Sequence, residues 1–156
     1  MFELEQVQFE HNHLVDDLTG APTPANFYGN LGKEISSRKR SGGALVIITI
    51  RINEPTRSFK KDGLAAKKQL DEYEDNLIKA SKIIKKNLRL EDSFTRMAVN
   101  GFYILIAGDK SEITLIIERF KKLFADRLLY LVKAHPLVGN LTATEWLNEI
   151  DADYFA

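Results

Sequence analysis

With 156 residues, 44% of them hydrophobic and 28% charged, the chain has the size of one compact domain that buries roughly 68–70% of its unfolded surface. Twenty-two Lys and Arg against 22 Asp and Glu leave zero formal charge, so no whole-molecule field draws it to nucleic acid or an anionic membrane, and any basic site has to be local. The lack of cysteine excludes disulfides, thiolate metal sites and thiol nucleophiles and suits the cytoplasm; an acidic start (Met1-Phe2-Glu3-Leu4-Glu5) and the absence of any apolar run near 18 residues predict neither a secretory signal nor a membrane span.

Residues 4–14 place Leu4, Val7, His11 and Leu14 at three- and four-residue spacing, which predicts a short lead-in helix over 1–15 ahead of a domain over 16–156. His11-Asn12-His13 spells H-N-H there, with no further ligand candidates beside it. Asp16-Asp17-Leu18-Thr19-Gly20, with Pro22 and Pro24, breaks the helix; Phe27, Leu31 and Ile35 begin another that runs to Arg38-Lys39-Arg40 and stops at Ser41-Gly42-Gly43. Ala44 to Ile52 is β-branched and almost wholly apolar up to Thr49, the pattern of a strand buried on both faces. Leu64 to Leu88 is helix-forming, with Leu77, Ala80, Ile84 and Leu88 on one side and Lys82, Lys85, Lys86 and Arg89 on the other.

Ser93–Val99 and Phe102–Ala107 read as two strands joined at Asn100-Gly101, a strong hairpin signal because such a turn favours positive φ. Residues 111–124 return to helical period through Ile113, Ile116, Phe120 and Phe124, after Asp109 and Glu112 at the helix start. Leu128–Val132 reads as a strand, His135-Pro136 as loop, and Thr142–Tyr154 as a final helix with Trp146, Leu147, Ile150 and Tyr154 inward. The order β-α-β-β-α-β with flanking helices predicts an α/β (α+β) domain with a ferredoxin-like sheet.

Four stretches, in order, resemble the GGDEF domain, the bacterial module that makes cyclic di-GMP from two GTP, and the resemblance spans about Asp16 to Tyr154. Asp16-Asp17-Leu18-Thr19-Gly20-Ala21-Pro22 followed by Phe27 is similar to the family's opening D-x-L-T-G-L-P and aromatic. Leu88-Arg89-Leu90-Glu91-Asp92-Ser93-Phe94-Thr95-Arg96 resembles its L-R-x-x-D-x-x-x-R run, after which Met97-Ala98-Val99-Asn100-Gly101-Phe102 falls where x-G-G-D/E-E-F should stand. Glu118-Arg119-Phe120 looks like the family's E-R-L, and Asp151-Ala152-Asp153-Tyr154 looks loosely like its closing A-D-x-A-L-Y.

The resemblance implies a fold of the nucleotide-cyclase type and also shows departures from it. Family members hold Mg²⁺ with a D-I-D at the end of the first strand and an acidic pair in the hairpin turn; the matching positions here are Arg51, Ile52 and Asn53, and Asn100 and Gly101. Mg²⁺ needs hard oxygen ligands, and a partly buried guanidinium beside it costs of order several kcal/mol. The guanine-holding Asn and Asp correspond to Ala65 and Ala66, and the two phosphate-facing glycines to Ala98 and Val99. These departures predict no cyclase activity, no metal and no cofactor.

What the resemblance retains is an inhibitory R-x-x-D site for the product. Arg89 and Asp92 match it, and Arg119 aligns, with one gap, to an arginine that completes it. An arginine fork suits guanine O6 and N7 or a phosphate, and a carboxylate suits the amino edge. The expected function is a catalytically inactive receptor for cyclic di-GMP; the alternative is a docking domain for a protein partner. A residual GTP site is disfavoured by Ala65, Ala66 and Val99, and neither a nucleic acid nor a membrane is expected as partner.

Overall fold

The computed structural model describes residues 2–12, 14–55 and 63–156. His13 of the H-N-H spelling lies outside them. The elements are α1 (Pro24–Ser41), β1 (Ala44–Ile52), α2 (Gly63–Asn87), β2 (Ser93–Ala98), β3 (Gly101–Gly108), α3 (Lys110–Leu123), β4 (Tyr130–Pro136) and α4 (Ala143–Tyr154). The four strands form one antiparallel sheet in the order β2-β3-β1-β4, which is the expected ferredoxin-like arrangement.

The two faces of the sheet follow from the period of two along β1. Val46, Ile48, Ile50 and Ile52 point to one side and pack with Tyr73, Leu77, Ala80 and Ile84 of α2 and Ile113, Ile116 and Phe120 of α3. Leu45 and Ile47 point to the other and meet Phe27, Leu31 and Ile35 of α1 and Trp146, Ile150 and Tyr154 of α4. Both helix pairs therefore present stripes at three- and four-residue spacing to a strand covered on both faces, as its run of branched apolar residues requires. Proline at the first position of α1 sets its φ, and Gly42, left-handed at φ 77°, stops it by donating to the Arg38 carbonyl at 2.8 Å. Asp109 and Thr142 cap α3 and α4 through the N–H groups of Glu112 and Glu145, and Glu145 completes a capping box.

The structure corrects four sequence expectations. The lead-in over 1–15 is no helix beyond a 3-10 turn at Leu4–Gln6; the chain folds back through bridges His11–Asp16 and Val15–Pro22. Apolar spacing there reflects Val7 entering the core from an irregular segment, and the backbone of Gln8 is tied to Glu74. The hairpin turn is Val99-Asn100, with Ala98 paired to Gly101, so Gly101 is the first residue of β3 and is not among the positive-φ glycines. Its lack of a side chain answers another need: a Cβ would collide with the Tyr154 hydroxyl and the Ile50 carbonyl oxygen. The last strand is Tyr130–Pro136 and includes His135, read above as loop, because an edge strand that is only half-buried along its length carries no apolar run. Finally, α2 ends at Asn87, so Arg89 stands off the helix that carries Lys82, Lys85 and Lys86.

Candidate functional site

Two places on the sheet hold the residues singled out by sequence. The first is the end of β1, where Arg51, Ile52, Asn53, Glu54 and Asn100 line a cleft of about 290 Å³. Arg51 Nη1 donates to the Tyr154 carbonyl at 3.1 Å, and its guanidinium lies 5.9 Å from the centre of the Tyr154 ring. The Tyr154 hydroxyl donates to Asn100 Oδ1 at 2.6 Å, passing over Gly101 at the position where a Cβ would stand. Burial pushes the Tyr154 phenol up and Arg51 opposes it, so the hydroxyl stays a donor at neutral pH. Asn53 donates through Nδ2 to the carbonyls of Arg127 and Leu128, both at 3.3 Å, and through its backbone N–H to Leu129 at 2.8 Å. On the buried side, Tyr73 donates to the Ile52 carbonyl at 2.7 Å.

This donor set does not fit the paired magnesium ions that the fold family uses. Among the described residues it offers one guanidinium, two amides already engaged by protein groups, and the single carboxylate of Glu54, whereas Mg²⁺ in phosphoryl transfer needs carboxylate oxygens in an octahedral frame. Ala98 is buried at the end of β2 and Val99 packs against the core from the turn, its carbonyl accepting from Arg96 Nη2 at 2.9 Å. Ala65 and Ala66 sit in the first turn of α2, and Ala65 lines a separate cavity of about 150 Å³ with Lys68, Gln69 and Glu72. Sequence reasoning missed Glu54 and the α4 contribution of Tyr154, because neither proximity follows from spacing along the chain.

The second place is the link between α2 and β2. Arg89 chelates Asp92, with Nη2 to Oδ1 at 2.8 Å and Nε to Oδ2 at 3.0 Å, while the Arg89 backbone N–H closes the turn onto Asp92 Oδ2 at 2.9 Å. Nη2 also donates to the Ala107 carbonyl, and Nη1 meets Glu112 at 3.0 Å and Glu91 at 3.4 Å. The bond to Asp92 raises the Arg89 pKa above its already high ordinary value, so the guanidinium is permanently charged.

Asp92 is 1% exposed and Arg89 27%. The carboxylate therefore orients the fork from beneath and does not reach a ligand itself in this conformation, contrary to the contact with a guanine amino edge expected of it. Arg119 is exposed on α3 two turns beyond Glu112, about 10 Å along the same stripe, and is not drawn into the Arg89 cluster. The ion pair Arg96–Asp16 at 3.0 Å joins the opening motif to β2 and is fully buried. No helix among the described residues is long and apolar enough to cross a membrane.

No protein-family model matches the sequence, and no curated protein matches it at a significant level. Solved structures do. The GGDEF domain of DgcB from Caulobacter crescentus, determined in complex with c-di-GMP, superposes with a TM-score of 0.70 at 11% identity over 94% of this chain and 90% of that one. The GGDEF domain of TpbB (YfiN) from Pseudomonas aeruginosa gives a TM-score of 0.67 at 19% identity over 91% and 87%. The diguanylate cyclase SiaD of Pseudomonas aeruginosa, in complex with its activator SiaC, gives 0.68 at 18% identity over 88% of this chain and 55% of that one. At these identities the likeness is one of fold, and the chain carries the fold of GGDEF domains.

Proposed function

We propose that this chain is a GGDEF-fold regulatory domain without cyclase activity that takes cyclic di-GMP at Arg89. The observation that carries the reading is the Arg89–Asp92 chelate: a buried carboxylate holds a partly exposed guanidinium in one orientation, which lowers the entropy lost when a guanine edge or a phosphate binds. The carboxylates of Glu112 and Glu91 that now meet Nη1 are half-exposed, so a ligand can displace them. Lys82, Lys85 and Lys86 on α2 add positive potential toward a dianion, and Arg119 stands on α3 to meet a second part of a ligand larger than one base. Inactivity is supported by Arg51, Asn53 and Asn100 at the β1 end, where carboxylates would be needed.

Titration calorimetry with cyclic di-GMP tests the receptor role. Micromolar binding that Arg89→Ala removes supports it; a flat titration of the folded wild type overturns it. Incubation with GTP and Mg²⁺ tests inactivity, and cyclic di-GMP as product ends that part of the reading. A docking role for a protein partner is favoured by one observation: Leu90, fully exposed beside Arg89, and Leu115, 64% exposed a turn beyond Glu112, are apolar groups left in water at this same corner. A partner seated there would lose affinity on Leu90→Ser without nucleotide.

A further inference from the structure

A cavity of about 680 Å³ opens at the end of the sheet where β1 finishes and β4 begins, against the C-terminal end of α3. Among the described residues its wall holds three cations, Arg51, Lys121 and Arg127, and no carboxylate. Among the described residues none of the three is in an ion pair, in a chain whose formal charges sum to zero. The nearest acid in sequence, Asp126, does not line the cavity; it accepts the Leu128 N–H at 3.0 Å, and its charge adds to burial in raising the Tyr130 phenol.

The frame that gathers these charges is built from hydrogen bonds already described. Asn53 pins the turn carrying Arg127 to the end of β1, and the Tyr154 carbonyl holds one Nη of Arg51. Three like charges around one concave wall repel each other, and a cleft of one sign focuses the field on whatever anion enters. Asn53 apart, the remaining wall is mainly apolar, with Phe124 and Tyr130 packed edge to face at 4.9 Å. The volume is that of a small-molecule site.

We infer that this cavity binds a compact organic diphosphate, its phosphates held by Arg51, Arg127 and Lys121 and its organic part against Tyr130. Arginine forks take two phosphate oxygens each and the lysine acts as a point charge, which together suit two adjacent phosphates better than one carboxylate. The site does not depend on the receptor reading. Arg89 reaches Ala107, which pairs with Leu45 at the start of β1, whereas Arg51 lies six residues along the strand, about 20 Å away.

The test is calorimetric titration at low salt with inorganic pyrophosphate and with adenosine diphosphate. Both should bind, the nucleotide more tightly; Arg127→Glu should weaken both at least tenfold, Lys121→Ala should weaken them severalfold, and added salt should weaken them further. Lys33→Glu, an equal charge change at an exposed position of α1, should leave both unchanged. No binding of either probe to folded wild-type protein overturns the inference, and so does equal weakening by Arg127→Glu and Lys33→Glu, which would reduce the effect to net charge. Binding of pyrophosphate alone retains the phosphate site and overturns the organic subsite on Tyr130.

Discussion

Replacing Arg96 by methionine removes a cation buried in the sheet and should destabilise the domain more than any surface change. Arg96 is 1% exposed, and its fork ties three segments together. Nη1 donates to the Gln8 carbonyl at 2.6 Å and to Asp16 Oδ1 at 3.0 Å, Nη2 donates to the Val99 carbonyl at 2.9 Å, and the guanidinium sits 4.7 Å from the Phe9 ring. Burial lowers its pKa and Asp16 opposes that, so each of the two buried charges offsets the desolvation of the other. Breaking such a pair from one side strands a buried carboxylate and two carbonyls and costs about 3–5 kcal/mol. At about 2–4 °C per kcal/mol for a chain of this length, the midpoint should fall by roughly 6–20 °C in calorimetry. The double variant Arg96→Met/Asp16→Asn removes the stranded charge while keeping an acceptor for the Thr19 hydroxyl, now 2.6 Å from Asp16 Oδ2, and should recover a good part of the loss. If the double variant melts at the sum of the two single losses, the groups are not coupled and the reasoning fails.

Other perturbations reach different links. Gly101→Ala forces a Cβ against the Tyr154 hydroxyl and the Ile50 carbonyl oxygen, with the Arg51 Cα at 3.1 Å behind them; the strand cannot retreat, so a loss of about 2–3 kcal/mol is expected by denaturant titration, with Tyr154→Phe in the same chain restoring part of it. Burial holds the His135 pKa below its ordinary 6.5, with Asp153 raising it and Lys133 lowering it and the Thr49 hydroxyl 3.2 Å from Nε2. The unfolded chain then binds the proton first, so stability is full above pH 6.5 and falls as pH drops below it; His135→Gln should flatten that slope by up to about 1.4 kcal/mol per pH unit in pH-dependent melting. Thr142→Ala removes the hydroxyl that accepts from Glu145 at 3.1 Å and should cost about 1 kcal/mol, seen as a melting shift of a few degrees with no change in ligand binding.

The parts of the fold legible in the sequence are those where burial alone decides the residue type. Ala44–Ile52 is apolar because it is covered twice, and α1 shows Phe27, Leu31 and Ile35 because only one stripe of it meets the sheet. Where a backbone segment is half-covered the signal weakens: β4 carries Lys133 and His135 at positions that partner Asp153 and Thr49, and its polar letters hid a strand. At the turn, Asn100-Gly101 pointed to the right hairpin through the wrong mechanism, since glycine is there to let α4 close over the sheet and not to reach positive φ. The lead-in misled for a related reason. Apolar spacing records which side chains go inward, and Val7 can go inward from a chain that wraps around Arg96 as well as from a helix.

The site follows the same division. Arg89 and Asp92 are three residues apart, so local sequence held their relation, although not the burial that turns Asp92 from a contact into a support. Arg51 and Asn53 were visible as the end of a strand, but their chemistry is set by Tyr154, Arg127 and Lys121, which arrive from α4, the turn before β4 and the end of α3. The arginine at that strand end is held by the carbonyl of Tyr154 at the end of α4 and lines one cavity with two other cations, which gives this end of the sheet the polarity to attract anions.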